Sequence, residues 1–442
     1  MSIRGMDAGA RTAYVNARLM DPATGLDGPG GLLTEGEAIA EVRPGLFSDG
    51  VPEGIAVVDC QGLVLAPGLV DLRVQLREAG DEDRSTLAAT GRAATAGGIT
   101  SLVTLPNTSP VIDEVAVVEF VARRARLVGL AKVYAYGAVT KGLEGRELAE
   151  MGLMAEVGAV AFTDGNQAVA DAQVMRRALA YAATFDLLIM QHPEEPSLAA
   201  GGAMNAGELA SRLGLSGIPI AAEVIQIERD VRLVELTGGA VHFANVSTAV
   251  GFDAVRCAKA RGLAVTCDTA PPYFALNEYE VGDYRTFAKL SPPLRAEADR
   301  LAVVEAIRDG TVDAIVSDHT PEDEDAKRLP FSEAAFGGVG LQTLLPVTLG
   351  LYHDGTISLM DALKLLTCKP ADLIGLKAGR LQAGLPADFI VFDPDRAWKV
   401  NADALLSKSK NSPFDGRPVQ GRVARTVIDG RAVFALDDEP GR

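Results

Sequence analysis

The chain has 442 residues, 48% of them hydrophobic and 23% charged, and its 42 Lys+Arg against 59 Asp+Glu leave a formal net charge of −17. That much negative charge repels phosphate backbones and anionic membrane surfaces, and no basic patch offsets it, so neither nucleic acid nor membrane is expected as a partner. A small molecule or another protein is the default partner, and at roughly 150 residues per domain the length suggests about three units, though a barrel often takes about 250 residues as one domain.

The stretch from Met1 to Ala17 mixes Arg4, Asp7 and Arg11 among small residues and has no apolar run of signal-peptide length. No later stretch reaches the roughly 18 uncharged apolar residues of a membrane span. The four cysteines, Cys60, Cys257, Cys267 and Cys368, include no CxxC pair. They form neither a disulfide framework nor a thiolate zinc site, and a reducing cytoplasm is the expected location.

In chain order, Thr12–Val42 and Gly54–Leu65 read as short strands broken by Gly, Asp and Pro turns. Eight β-rich runs follow: Val70–Leu76, Thr100–Leu105, Lys132–Val139, Ala159–Thr163, Leu187–Gln191, Val241–Val246, Ala264–Cys267 and Asp313–Ser317. Each is apolar on both sides of the pleat, as parallel strands covered on both faces are, and most of the intervals have helical spacing of Ala, Leu, Glu and Arg. Eightfold βα alternation predicts an α/β fold of the (β/α)8 TIM type, with an open doubly wound sheet as the alternative. Ala387–Phe392 and Arg422–Phe434 again read as strands, with a strand at Asp388–Asp393 and a tight hairpin at Asp429-Gly430. Neither flank can build a core alone. One small composite β-sandwich domain, 1–66 with 378–442, is therefore expected around a barrel at 67–377.

Active sites of such barrels lie at the C-terminal strand ends. Polar residues collect there: Asp71-Leu72-Arg73-Val74-Gln75-Leu76-Arg77-Glu78 around the first, Asn107 after the second, Asp164-Gly165 after the fourth, His192 after the fifth, Asn245 in the sixth, and Asp318-His319 after the eighth. The phrases APGLVDLRVQLREAG, TLPNTSPV, GAVAFTDG, MNAGELASRLGLSGIP, VHFANVSTA, SPPLR, VSDHTPE, FGGVGLQTLLP, GLPADFIVFDP and SPFDG run in this order along nearly the whole chain. On these phrases the chain resembles the amidohydrolase superfamily and, within it, the dihydroorotases. The resemblance implies a barrel with a composite β domain. It also implies a cyclic-amide hydrolase of pyrimidine biosynthesis that interconverts carbamoyl-aspartate and dihydroorotate through zinc-activated hydroxide.

The departures from that pattern carry the sharper expectation. The family's His-x-His at the first strand is Arg73 and Gln75, and its strand-six histidine is Asn245. Its strand-four carboxylate falls on Gly165 in an ungapped comparison, though a shift of one residue would make Asp164 the ligand. Only His192 and Asp318 remain of the usual metal set. A catalytic zinc needs about three N, O or S protein ligands plus an open position. Guanidinium has no lone pair to offer and repels a dication. No metal is therefore expected, Asp318 loses the metal-bound water it would deprotonate as catalytic base, and Arg73 is expected to pair with Asp318 in the metals' place.

On the substrate side, the resemblance assigns Arg77, Asn107, Asn277 and His319 to contacts with a small carboxylate and its ring. Ordinary readings stand beside these: Asp71 as a backbone acceptor, Arg77 as a salt-bridge partner of Glu78 or Asp81, His242 as a packed core histidine and His353 as a surface residue. Whether the segment 320–331 is a lid stays open. The resemblance implies a non-catalytic homologue assembling with aspartate transcarbamoylase, as a homo- or hetero-oligomer. The alternative is an active dihydroorotase, or an amidohydrolase using one metal at His192 and Asp318, with zinc as cofactor.

Overall fold

The computed structural model describes residues 10–436. Residues 1–9 and 437–442, the outermost ends of the two expected flanks and part of the Met1–Ala17 stretch, lie outside the described residues. No described helix is long and apolar enough to cross a membrane.

Eight parallel strands form the barrel: Leu69–Val74, Ile99–Thr104, Lys132–Gly137, Ala159–Phe162, Leu188–Gln191, Ala240–Phe243, Val265–Thr269 and Ala314–Ile315. All eight predicted runs are found. In the first two, every residue is buried, because the inner side packs into the barrel core and the outer side against helices. Several of the helices begin on polar caps. Thr86 Oγ1 accepts from Ala89 N, Asp171 from Gln173 N and Val174 N, and Thr248 from Gly251 N, each satisfying amides that the first helical turn leaves open.

Val74 bridges His319 in parallel, and Gln75 N donates to His319 O at 2.8 Å. This seam joins the first strand to the end of the eighth and rules out the open doubly wound sheet. It also explains the drift at the strand ends. Beyond Val74 the first strand gives its amide to the closure, and the eighth strand has only two regular residues because the backbone bends at Asp318, where φ is 50°.

The second sheet is assembled from both ends of the chain. Its order runs Arg431–Ala435, Pro418–Ile428, Phe389–Lys399, Val64–Pro67, Arg11–Asp21, Leu26–Glu35 and Ala38–Pro44, and Ala56–Asp59 pairs in parallel with Arg11–Asp21. The two ends meet where Phe389–Phe392 lies antiparallel to Val64–Pro67. The Asp429-Gly430 turn has positive φ at both residues, 48° and 70°, and registers Ile428 with Arg431, the geometry of a two-residue type I′ hairpin. Lys132, starting the third barrel strand, reaches Asp388 Oδ2 and Asp429 Oδ1, both at 2.7 Å, and ties this domain to the N-terminal end of the barrel.

Candidate functional site at the barrel mouth

Residues from the first, fourth and eighth strand ends, Arg73, Gln75, Asn166 and Asp318, form one hydrogen-bonded network in which Asn166 is half-buried and the others are buried, and the buried Asn245 side chain lies near it without a hydrogen-bond partner. Arg73 Nε donates to Asp318 Oδ1 at 3.0 Å, and the two side chains are 3% and 10% exposed. The pairing expected from the sequence is present. Arg73 Nη2 also donates to Asn166 Oδ1 at 2.8 Å, and Asn166 Nδ2 donates to Gln75 Oε1 at 3.2 Å. Asn166 thus bridges the two residues that stand where the family has imidazoles. Burial raises the Asp318 pKa, opposed by the Arg73 guanidinium and the Asn245 amide. Asp318 and Asn245 both hold left-handed backbone, φ 50° and 54°, conformations that Asp and Asn accept most readily among non-glycine residues.

Asp164 faces elsewhere. Its Oδ1 accepts Val139 N at 3.0 Å and Thr140 N at 2.9 Å, and its Oδ2 accepts the Thr140 hydroxyl. These bonds hold the turn after the third strand and leave no reason for the carboxylate to swing into the mouth. At Gly165, φ is 72°, and a Cβ there would stand 3.0 Å from Asn107 Oδ1. A side chain at this position would have to displace Asn107 and accept a strained backbone.

The remaining imidazoles are buried and neutral. Burial, then the Arg73 and Arg295 cations, push the His192 pKa down to about 3, and its Nε2 lies 3.2 Å from Ser291 Oγ. Burial and Arg77 bring His319 to about 3, and its Nδ1 accepts from Gly340 N at 3.2 Å. His319 Nε2 and His192 Nδ1 have no hydrogen-bond partner. Among the described residues, no group of three or more His, Cys, Asp or Glu could hold a metal ion. With a guanidinium on Asp318 and carboxamides around it, the donor set does not fit a catalytic zinc.

The predicted substrate residues do not form one cup. Arg77 Nε donates to Pro321 O at 3.0 Å and Nη2 pairs with Glu322. Asp81 stands 3.7 Å from Arg77 Nη1, so Asp81 is one of its salt-bridge partners, whereas Glu78 accepts from Arg124. Asn277 caps a short 3-10 turn by accepting Tyr279 N and donates to Glu297. The ordinary readings of other residues hold. Asp71 Oδ1 accepts Arg73 N and Ser317 N, His242 is wedged between Thr266 and Asp268 inside the barrel, and His353 bonds Pro394 O at the surface.

Two further residues carry contacts that the strand-end positions alone do not reveal. Glu322 closes the phrase VSDHTPE, and its place there is the available signal, whereas Asn166 falls one residue beyond GAVAFTDG and has none.

Burial raises the Asp71 carboxyl to about 6, against the stabilising N–H bonds of Ser317 and Arg73. A raised carboxyl stabilises the fold fully below the ordinary Asp range, and that contribution is lost as pH rises through about 6. Asp71→Asn is therefore expected to flatten the fall in stability between pH 5 and pH 7.5. Urea midpoints at the two pH values measure it, and an unchanged difference contradicts the assignment.

A dihydro-orotase-like family model matches residues 62–250. A dihydroorotase of Anaplasma phagocytophilum is 45% identical over 431 residues, covering 96% of this chain and 95% of that protein. A dihydroorotase of Desulforapulum autotrophicum is 44% identical over 421 residues, covering 95% and 98%. Among solved structures, the L-hydantoinase of Arthrobacter aurescens aligns with a TM-score of 0.85 over 96% of this chain and 97% of that one. Its 24% identity supports a shared fold alone. Relatives this similar over nearly their full length leave one conclusion: the chain belongs to the dihydroorotase family.

Proposed function

We propose that this chain is a catalytically silent dihydroorotase-like protein of pyrimidine biosynthesis, acting in the cytoplasm as a structural or regulatory partner of aspartate transcarbamoylase. The observation that carries the silent reading is the Arg73–Asp318 pair, which spends the one retained catalytic carboxylate on a guanidinium. Without a metal to acidify it, water keeps a pKa near 15.7, and neither neutral imidazole has a carboxylate partner that would make it a strong base. The partner rests on the resemblance to non-catalytic members of the family. Gel filtration of the chain mixed with aspartate transcarbamoylase from the same organism is the test. One co-eluting peak supports the assembly, and two separate peaks at micromolar concentration refute it.

The full-length relatives named dihydroorotase favour a second reading, an active enzyme, with one metal at His192 and Asp318 as its mononuclear form. Turnover of dihydroorotate by protein carrying near-stoichiometric zinc would establish it, and background rates in the same assay exclude it.

A further inference from the structure

Two guanidiniums at the barrel mouth enclose a carboxylate supplied by the chain itself. Arg77 Nη2 pairs with Glu322 Oε1, and Arg84 Nη1 lies 3.2 Å from Glu322 Oε2. The Arg77 and Glu322 side chains are 7% and 6% exposed, so this is a water-excluded contact and not a surface pair. Asp81 and Asp323 stand farther off, 3.7 Å from Arg77 and 3.6 Å from Arg84, on the solvent side. The segment carrying Glu322 is pinned in turn. Asn411 Nδ2 donates to Thr320 O at 3.2 Å and Gly337 O at 3.1 Å, and Lys327 Nζ donates to Ala335 O at 2.7 Å and Thr286 O at 3.1 Å. Beside Arg77, His319 presents a buried Nε2 with no partner.

We infer that Arg77 and Arg84 form a carboxylate-binding site whose resident ligand is Glu322, so that an external small carboxylate enters only when Glu322 is withdrawn. A tethered carboxylate loses little translational freedom on binding, whereas a free one loses all of it, so the internal ligand wins at ordinary metabolite concentrations. The expectation of a small carboxylate on Arg77 is thereby made conditional on movement of the segment that begins at Thr320. The inference concerns binding alone and holds whether or not the chain turns over dihydroorotate.

The test is Glu322→Ala in the full chain, with acetate and N-carbamoyl-aspartate as probes. The variant's melting midpoint is expected to fall and to be raised by millimolar acetate but not by chloride at equal ionic strength, while the parent chain responds to neither. Calorimetry is expected to show at least about tenfold tighter binding of N-carbamoyl-aspartate by the variant, a difference of about 1.4 kcal/mol. Equal affinity in the two proteins, or an acetate effect no larger than that of chloride, overturns the inference. Should the alanine variant not fold, Glu322→Gln keeps the side-chain shape with a weaker acceptor. It must then show a gain in carbamoyl-aspartate affinity over the parent chain, and no gain is a refutation.

Discussion

Arg73→Ala is expected to lower the unfolding free energy by about 3–5 kcal/mol, the usual cost of breaking a buried ion pair from one side. Asp318 is nearly enclosed, and besides Arg73 it has near it only a neutral amide, Asn245, and a like charge, Asp268, neither of which can balance it. Deleting the guanidinium also removes the bond to Asn166, so the Asn166–Gln75 contact loses its anchor. Arg73→Lys should recover only part of this loss, because a single ammonium cannot reproduce the fork that serves Asp318 and Asn166 together. Adding Asp318→Asn to Arg73→Ala should restore stability by removing the stranded charge. Urea denaturation of the three variants measures the set. A loss for Arg73→Ala within the 0–1 kcal/mol typical of exposed pairs would contradict the role assigned here.

The second large effect concerns Asp164. Asp164→Ala removes the acceptor for two buried backbone amides and one hydroxyl, and at about 1–3 kcal/mol per stranded buried group the expected loss is about 3 kcal/mol. This value separates two roles. A structural acceptor gives the same loss with zinc or with chelator, whereas a metal ligand gives a loss only where zinc is present to stabilise the parent. Melting midpoints of both proteins under the two conditions decide between them, and a loss confined to zinc-containing buffer refutes the structural role.

The barrel is legible because parallel strands covered on both faces give β-rich runs at regular intervals, and all eight such runs fall on barrel strands. The strand ends are set by tertiary contacts. The β-rich pattern of the first run continues to Leu76, but the amide of Gln75 goes to the closing seam, a contact with a residue more than 240 positions away. The hairpin at Asp429-Gly430 was legible since only a short list of dipeptides accepts positive φ twice. In the site, the loss of imidazoles was plain from residue types, and the Arg73–Asp318 pair followed from the need to balance a buried carboxylate. Asn166 was not legible in the same way. An amide joining two other polar side chains leaves no periodicity and no charge signal. Asn277 is placed at the substrate by the resemblance, whereas the fold uses it on a turn and on Glu297. Gly165 gains its reason only from the structure, in the side chain of Asn107 that lies against it.

The central claim is that a cation built into the chain stands where a metal would, and the most direct measurement is thermal unfolding of the unmodified protein with excess zinc against excess chelator. A specific site bound at a hundred times its dissociation constant adds about 2.7 kcal/mol, which moves a midpoint by several degrees. The account predicts coincident midpoints, with Arg73 already holding Asp318. A midpoint several degrees higher in zinc, abolished by His192→Ala or Asp318→Asn, would contradict it.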